Sequence, residues 1–207
     1  MQVAMAVSNT GLVAGIGVNA GNGNVAMVYD SNSGTLTDLQ LPDVGNVPNS
    51  LAFGISPDGK YVVGSNGFSG QSFIWSAATG ALVPSLPGVS SGGTLYGIND
   101  SGWAVGNSGG QYANPFLVAD GTTYLMADII TNGADWNFST TTSASAMGIA
   151  ADGSIVGTAQ FNGVEHAYLA TLVAAVPEPS TYALMLAGAA VVGVASRRRK
   201  KKPVRFD

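Results

Sequence analysis

The stretch Gly54-Ile55-Ser56-Pro57-Asp58-Gly59-Lys60-Tyr61-Val62-Val63-Gly64 decides the reading of this chain. Its centre, Pro57-Asp58-Gly59, is turn chemistry: Pro presets φ, Asp bonds nearby backbone, and Gly accepts positive φ. The apolar runs on either side are short and rich in β-branched residues, so the eleven residues predict a β-hairpin. Three relatives of the stretch lie elsewhere in the chain: Ala6-Val7-Ser8-Asn9-Thr10-Gly11-Leu12-Val13-Ala14-Gly15, Gly97-Ile98-Asn99-Asp100-Ser101-Gly102-Trp103-Ala104-Val105-Gly106, and Gly148-Ile149-Ala150-Ala151-Asp152-Gly153-Ser154-Ile155-Val156-Gly157. The closing glycines 15, 64, 106 and 157 stand 49, 42 and 51 residues apart. Self-similarity at such a period points to a repeat architecture.

Working outward, each hairpin is followed by a second apolar run. These are Ala26-Met27-Val28-Tyr29, Ser72-Phe73-Ile74-Trp75, Pro115-Phe116-Leu117-Val118 and Ala167-Tyr168-Leu169-Ala170. A third run follows a glycine at Gly34–Leu39, Gly80–Leu86 and Gly121–Met126; in the fourth repeat Thr171–Val176 is the candidate stand-in. Four short strands in about 45 residues is the signature of a β-propeller blade, and the lack of helical periodicity excludes α/β folds. The expected fold class is therefore all-β: a propeller-like array of four-stranded blades with repeats near 4–45, 50–90, 94–130 and 145–175. Four repeats leave both an incomplete ring and a closed four-blade ring open. An incomplete ring would leave edges that invite pairing with another chain.

Composition narrows the function classes. The 207 residues include 29 Gly, only 10% charged residues, no Cys and one His. Without Cys there is no disulfide framework or thiolate metal site. A lone His166 makes a His-based triad or zinc centre improbable. Residues 1–176 hold ten acids against one cation, Lys60, while the last eleven residues hold seven of the eight cations. A body this acidic repels phosphate backbones, which argues against nucleic acid as a partner.

The cationic end follows an uncharged run from Thr181 to Ala195. Taken as 180–196 it would be a helix of about 25 Å at ~1.5 Å per residue, at the short end of what spans a bilayer. Arg197, Arg198, Arg199, Lys200, Lys201 and Lys202 would hold that end in the cytoplasm, with Tyr182 at the opposite interface. Ala189 and Gly193 form a small-xxx-small pair of little weight in so Ala-rich a segment. The competing reading is a buried core helix with a basic tail, but the run has no polar face. Before it lies Val176-Pro177-Glu178-Pro179-Ser180, whose two prolines favour an extended, accessible backbone.

The order Pro177-Glu178-Pro179, apolar span, arginine cluster resembles the PEP-CTERM sorting signal of exported Gram-negative proteins. The resemblance covers about residues 176–202, leaving 203–207 as a tail. It implies recognition by an exosortase, a membrane cysteine protease, which reads Pro177, Glu178 and Pro179 and removes the anchor. It further implies lodging in inner-membrane lipid before processing, then delivery to the cell surface or matrix. Export also requires an N-terminal signal with a basic n-region. Met1–Asn9 lacks a basic side chain, so the true N-terminus is expected to lie upstream. The repeats resemble the HAF family of extracellular repeats over roughly residues 4–170. His166-Ala167-Tyr168 matches its His-Ala-Phe strand in the last repeat only. That resemblance implies a propeller-like exported domain and supplies no catalytic residues.

Candidate chemistry inside the body is sparse. Glu165 and His166 could form an oriented general base, though a structural histidine fits the repeat better. Asp58, Asp100 and Asp152 recur at one blade position and could bind Ca²⁺, but capping of the turns is the simpler role. Among Trp75, Trp103, Trp136, Tyr96 and Tyr112, Trp136 and Tyr112 lie in polar loops and are the better candidates for stacking on sugars; Trp75 reads as core. The expectation is an exported, non-enzymatic surface or matrix protein with no cofactor or metal, and extracellular polysaccharide as candidate ligand. The alternative is a secreted propeller enzyme, a lyase or hydrolase acting on polysaccharide.

Overall fold

The structure, a computed structural model, describes residues 1–21, 23–42, 49–67, 71–83, 93–108, 114–131, 133–138 and 144–173. The chain divides into two units, Met1–Leu172 and Val173–Asp207, and every described strand belongs to the first. The expected span 180–196 lies outside the described residues. Within them no helix is long and apolar enough to cross a membrane.

The expected all-β architecture is present as four four-stranded antiparallel sheets. The first holds β1 (Val3–Val7), β2 (Leu12–Val18), β3 (Asn24–Asp30) and β4 (Thr35–Asp38). The second holds β5 (Ser50–Ile55), β6 (Tyr61–Asn66), β7 (Gln71–Ser76) and β8 (Ala81–Leu82). The third holds β9 (Gly93–Ile98), β10 (Ala104–Ser108), β11 (Asn114–Ala119) and β12 (Thr122–Leu125). In these three, sequence order is sheet order, as short turns between antiparallel strands require.

The fourth sheet departs from the sequence expectation. Its members are β13 (Trp136–Asn137), β14 (Ser145–Ile149), β15 (Ile155–Phe161) and β16 (Val164–Ala170). No strand forms over Thr171–Val173, and residues 174–176 lie outside the described residues. The fourth member is instead β13, which precedes the hairpin in the chain. It pairs with Gln160 and Phe161 of β15, while β14 pairs with residues 155–158 and β16 with all of 155–161. Because β16 occupies one edge, β13 and β14 lie end to end along the other. A second correction concerns the third run of repeat three, which stops being a strand at Leu125. Met126–Ile129 forms the short helix α1, and the Met126 side chain is fully buried.

One irregularity recurs in every sheet. The first strand carries a one-residue bulge, at Met5, Phe53, Tyr96 and Met147, against the second strand. The bulge explains the closing glycines. A Cβ on Gly15, Gly64, Gly106 or Gly157 would overlap the carbonyl oxygen of Val3, Leu51, Thr94 or Ser145, two residues before the bulge. Only glycine lets the bulged strand pass that close. The hairpin turns use glycine for the other reason: Gly11, Gly59, Gly102 and Gly153 sit at φ +85°, +77°, +80° and +82°.

The sheets pack in series, each on the next. Each has a front face toward the preceding sheet and a back face toward the following one. Ala14 and Val28 on the back of the first sheet meet Ile55, Val62 and Trp75 on the front of the second. Val63 and Ile74 meet Ile98, Ala104 and Val118 of the third. Val105 and Leu117 meet Ile155 of the fourth, flanked across the strands by Ile149 and Ala170, with Ala146 and Tyr168 in the same core. Each core thus repeats one scheme: a cross-strand pair from one sheet seals against a cross-strand triple from the next. The first strands also lie against one another. A Cβ on Gly54 would come within 2.5 Å of the Tyr96 carbonyl oxygen, and one on Gly97 within 3.1 Å of Gly148 Cα.

Candidate functional site

The hairpin turns, the bulged first strands and one aromatic cluster gather the side chains to which the sequence assigns chemistry. At the turns, the residue after the apolar strand is small, polar and buried. Ser8 Oγ accepts from Leu12 N at 3.0 Å, and Ser56 Oγ accepts from Tyr61 N at 3.0 Å. Asn99 Oδ1 accepts from Ser101 N at 3.1 Å and Trp103 N at 3.0 Å. The fourth repeat has Ala150 there; it keeps the backbone bond from Ala150 N to Ser154 O at 2.8 Å, and Asp152 Oδ1 accepts from Ser154 N at 2.9 Å. Neighbouring turns are tied together. Asn9 N donates to Pro57 O at 2.8 Å, Asp58 N to Asp100 Oδ1 at 2.8 Å, and Asn99 Nδ2 to Ala150 O at 3.1 Å.

Each of the three aspartates accepts a backbone N–H in these turns, Asp58 from Lys60 N, Asp100 from Asp58 N and Asp152 from Ser154 N. Asp58 accepts from Ser56 Oγ at 2.7 Å and Lys60 N at 3.0 Å, and pairs with Lys60 Nζ at 2.7 Å. Partial burial opposes ionisation of Asp58, yet Lys60 and the Ser56 hydroxyl hold its carboxyl down to about 2. The Ser154 N–H and hydroxyl lower Asp152 in the same direction. Among the described residues no three His, Cys, Asp or Glu side chains gather as a metal site. The geometry supports the turn role for Asp58, Asp100 and Asp152.

Glu165 and His166 are neighbours in β16, so the pleat sends their side chains to opposite faces. His166 instead stands edge-on to Phe161, with centroids 6.1 Å apart. Adjacency in sequence therefore does not make an oriented base.

The aromatic candidates separate. Trp75 is buried in the core between the first and second sheets. Trp103 is half-buried and its Nε1 donates to Asp120 Oδ1 at 3.2 Å. Tyr96 is half-buried at a bulge and tilts against Phe53 of the preceding sheet at 5.4 Å. Tyr112 lies outside the described residues. Trp136 sits at the centre of a cluster with Phe161 at 5.2 Å, Phe138 at 6.1 Å and Tyr168 at 6.3 Å. Tyr168 is buried, its hydroxyl donates to Ser145 O at 2.9 Å, and burial pushes its ionisation upward. The cluster was not legible in sequence, because β13 brings Trp136 to Phe161 only through long-range pairing.

Pro177, Glu178, Pro179 and the cluster Arg197, Arg198, Arg199, Lys200, Lys201 and Lys202 lie outside the described residues, where the sequence itself is the observation. Residues 175–200 match the PEP-CTERM protein-sorting motif. The motif implies an exported protein carrying a membrane-anchored C-terminal sorting signal, processed by exosortase, a membrane protease. No curated protein matches the chain. Among solved structures, the chain is similar to the crystal structure of TolB from Acinetobacter baumannii. The TM-score is 0.50 at 13% identity, over 83% of this chain and 44% of that one. The likeness concerns the fold alone, and this chain spans less than half the length of TolB.

Proposed function

We propose that this chain is an exported, non-enzymatic repeat protein of the cell surface or extracellular matrix, delivered by exosortase processing of its C-terminal signal. The match of residues 175–200 to the sorting motif carries the reading. The body is the delivered part: a propeller-like arc of HAF-type repeats. Serial packing of four-stranded sheets and the similarity to TolB support the propeller-like description. The use of the aspartates in turns, and the separation of Glu165 from His166, support a binding or structural role over catalysis. Extracellular polysaccharide is the ligand class, and the Trp136 cluster is the side-chain group best suited to stacking on sugar rings.

The deciding experiment follows the chain in cells that make exosortase and in cells that lack it, alongside the triple substitution Pro177→Ala, Glu178→Ala, Pro179→Ala. The expected outcome is a shortened, released body only when both enzyme and tripeptide are intact. Release of the same product from the triple variant would refute the sorting role. Incubating the body with host exopolysaccharide separates binder from enzyme: retention without new chain ends fits the proposal, and turnover refutes it.

A further inference from the structure

Among the described residues, the scheme that joins the sheets leaves two halves unmatched. Val156 and Leu169, paired across β15 and β16, occupy the register of Ala14–Val28, Val63–Ile74 and Val105–Leu117. Those three pairs are buried by the following sheet, whereas Val156 and Leu169 are 48% and 65% exposed. At the other end Val7, Val13 and Tyr29 occupy the register of the triple Ile55–Val62–Trp75. Val7 is 68% and Tyr29 37% exposed. Gly148 completes the correspondence. Its equivalents Gly54 and Gly97 admit the backbone of the next sheet's bulged strand, but a Cβ on Gly148 would meet only Val156 Cγ2, at 3.2 Å.

We propose that the front face of the first sheet docks on the back face of the fourth sheet of a second copy of this chain. The interior supplies the warrant, since the molecule makes this kind of contact three times within itself. Each end face keeps the residue types and register that the contact uses. In that contact, Met5 of one copy lies against Gly148 of the other, as Tyr96 lies against Gly54. The surfaces are different halves of one scheme, so the association is heterologous, and copies add head to tail. Both copies are acidic, so salt that screens their repulsion strengthens the contact.

Sedimentation velocity of the full 207-residue chain in a mild detergent tests this, over a concentration series and at two ionic strengths. The expected result is concentration-dependent association that rises with salt. Val7→Asp spoils only the front face and Gly148→Trp only the back face. Each alone weakens self-association at least about 30-fold. An equimolar mixture of the two forms a dimer and stops there, because one good front face meets one good back face. Thermal melts matching the parent show that both variants fold; Leu169→Asp replaces Gly148→Trp if that variant does not. A chain that stays monomeric throughout overturns the proposal. So does association that survives both single substitutions, which would place the contact in the segment beyond residue 173. Self-pairing of Gly148→Trp at parental strength would mean front against front, and would equally refute it.

Discussion

Val105–Leu117 and Val156–Leu169 are the same device in two settings. Both are cross-strand apolar pairs on the back of a sheet, one residue before a closing glycine and on the strand beside it. The first pair is sealed by the fourth sheet, and the second is open to solvent. A β-sheet face is therefore core or surface according to its neighbour, not its own residues. Hydrophobic pattern alone assigns both pairs to the interior.

Substitutions at matched positions turn this difference into measurements. The largest effect belongs to glycine. Gly106→Val forces a Cβ into the Thr94 carbonyl and should abolish the cooperative thermal transition, a loss above about 4 kcal/mol. Gly148→Val faces only the mobile end of Val156 and should shift stability by under about 1 kcal/mol. Equal losses would mean that the two glycines do not differ in surroundings. Next come the pairs themselves. Leu117→Ala should cost about 3 kcal/mol in urea unfolding, against about 0.5 kcal/mol or less for Leu169→Ala in dilute protein.

A smaller contrast separates the turns. Asn99 is buried and bonded to Ser101, Trp103 and Ala150, so Asn99→Ala should cost about 1–3 kcal/mol by stranding those backbone groups. At the equivalent position of the fourth repeat the chain already has Ala150, and Ala150→Gly should have the effect of a surface change. The smallest effects depend on pH. Asp58 is held below its unfolded value, so its contribution is complete above about pH 4 and fades as pH falls toward 2. Asp58→Asn should flatten the melting temperature over that window, matching the parent near pH 2 and falling modestly below it at pH 7, the loss being small because Lys60 is exposed. Tyr168 runs the other way: its raised ionisation stabilises the fourth sheet below about pH 10 and ceases to as pH climbs above that. Tyr168→Phe should remove that alkaline dependence.

Much of the fold was legible because it is written locally. Asp-Gly, Asn-x-Gly or Asn-x-x-Gly between apolar runs fixes a hairpin without reference to the rest of the chain, and four copies fix the period. The closing glycines were visible as a pattern while their cause was not: the bulges at Met5, Phe53, Tyr96 and Met147 are properties of pairing between strands. For the same reason β13 was missed. Two residues, Trp136 and Asn137, carry no strand signal, and only Gln160 and Phe161 make them one. At the candidate site, the turn role of Asp58 was readable from its following glycine. The parting of Glu165 from His166 needed the pleat. The sorting tripeptide and basic cluster were readable from order alone, since their meaning lies in being read by another protein.

The serial packing also bears on how such a gene can change length. Excising residues 65–106, or duplicating them, joins one closing glycine to the start of an equivalent unit and leaves the sheet-to-sheet scheme intact at the new junction. Recombination between copies can thus add or delete whole modules without inventing a new boundary.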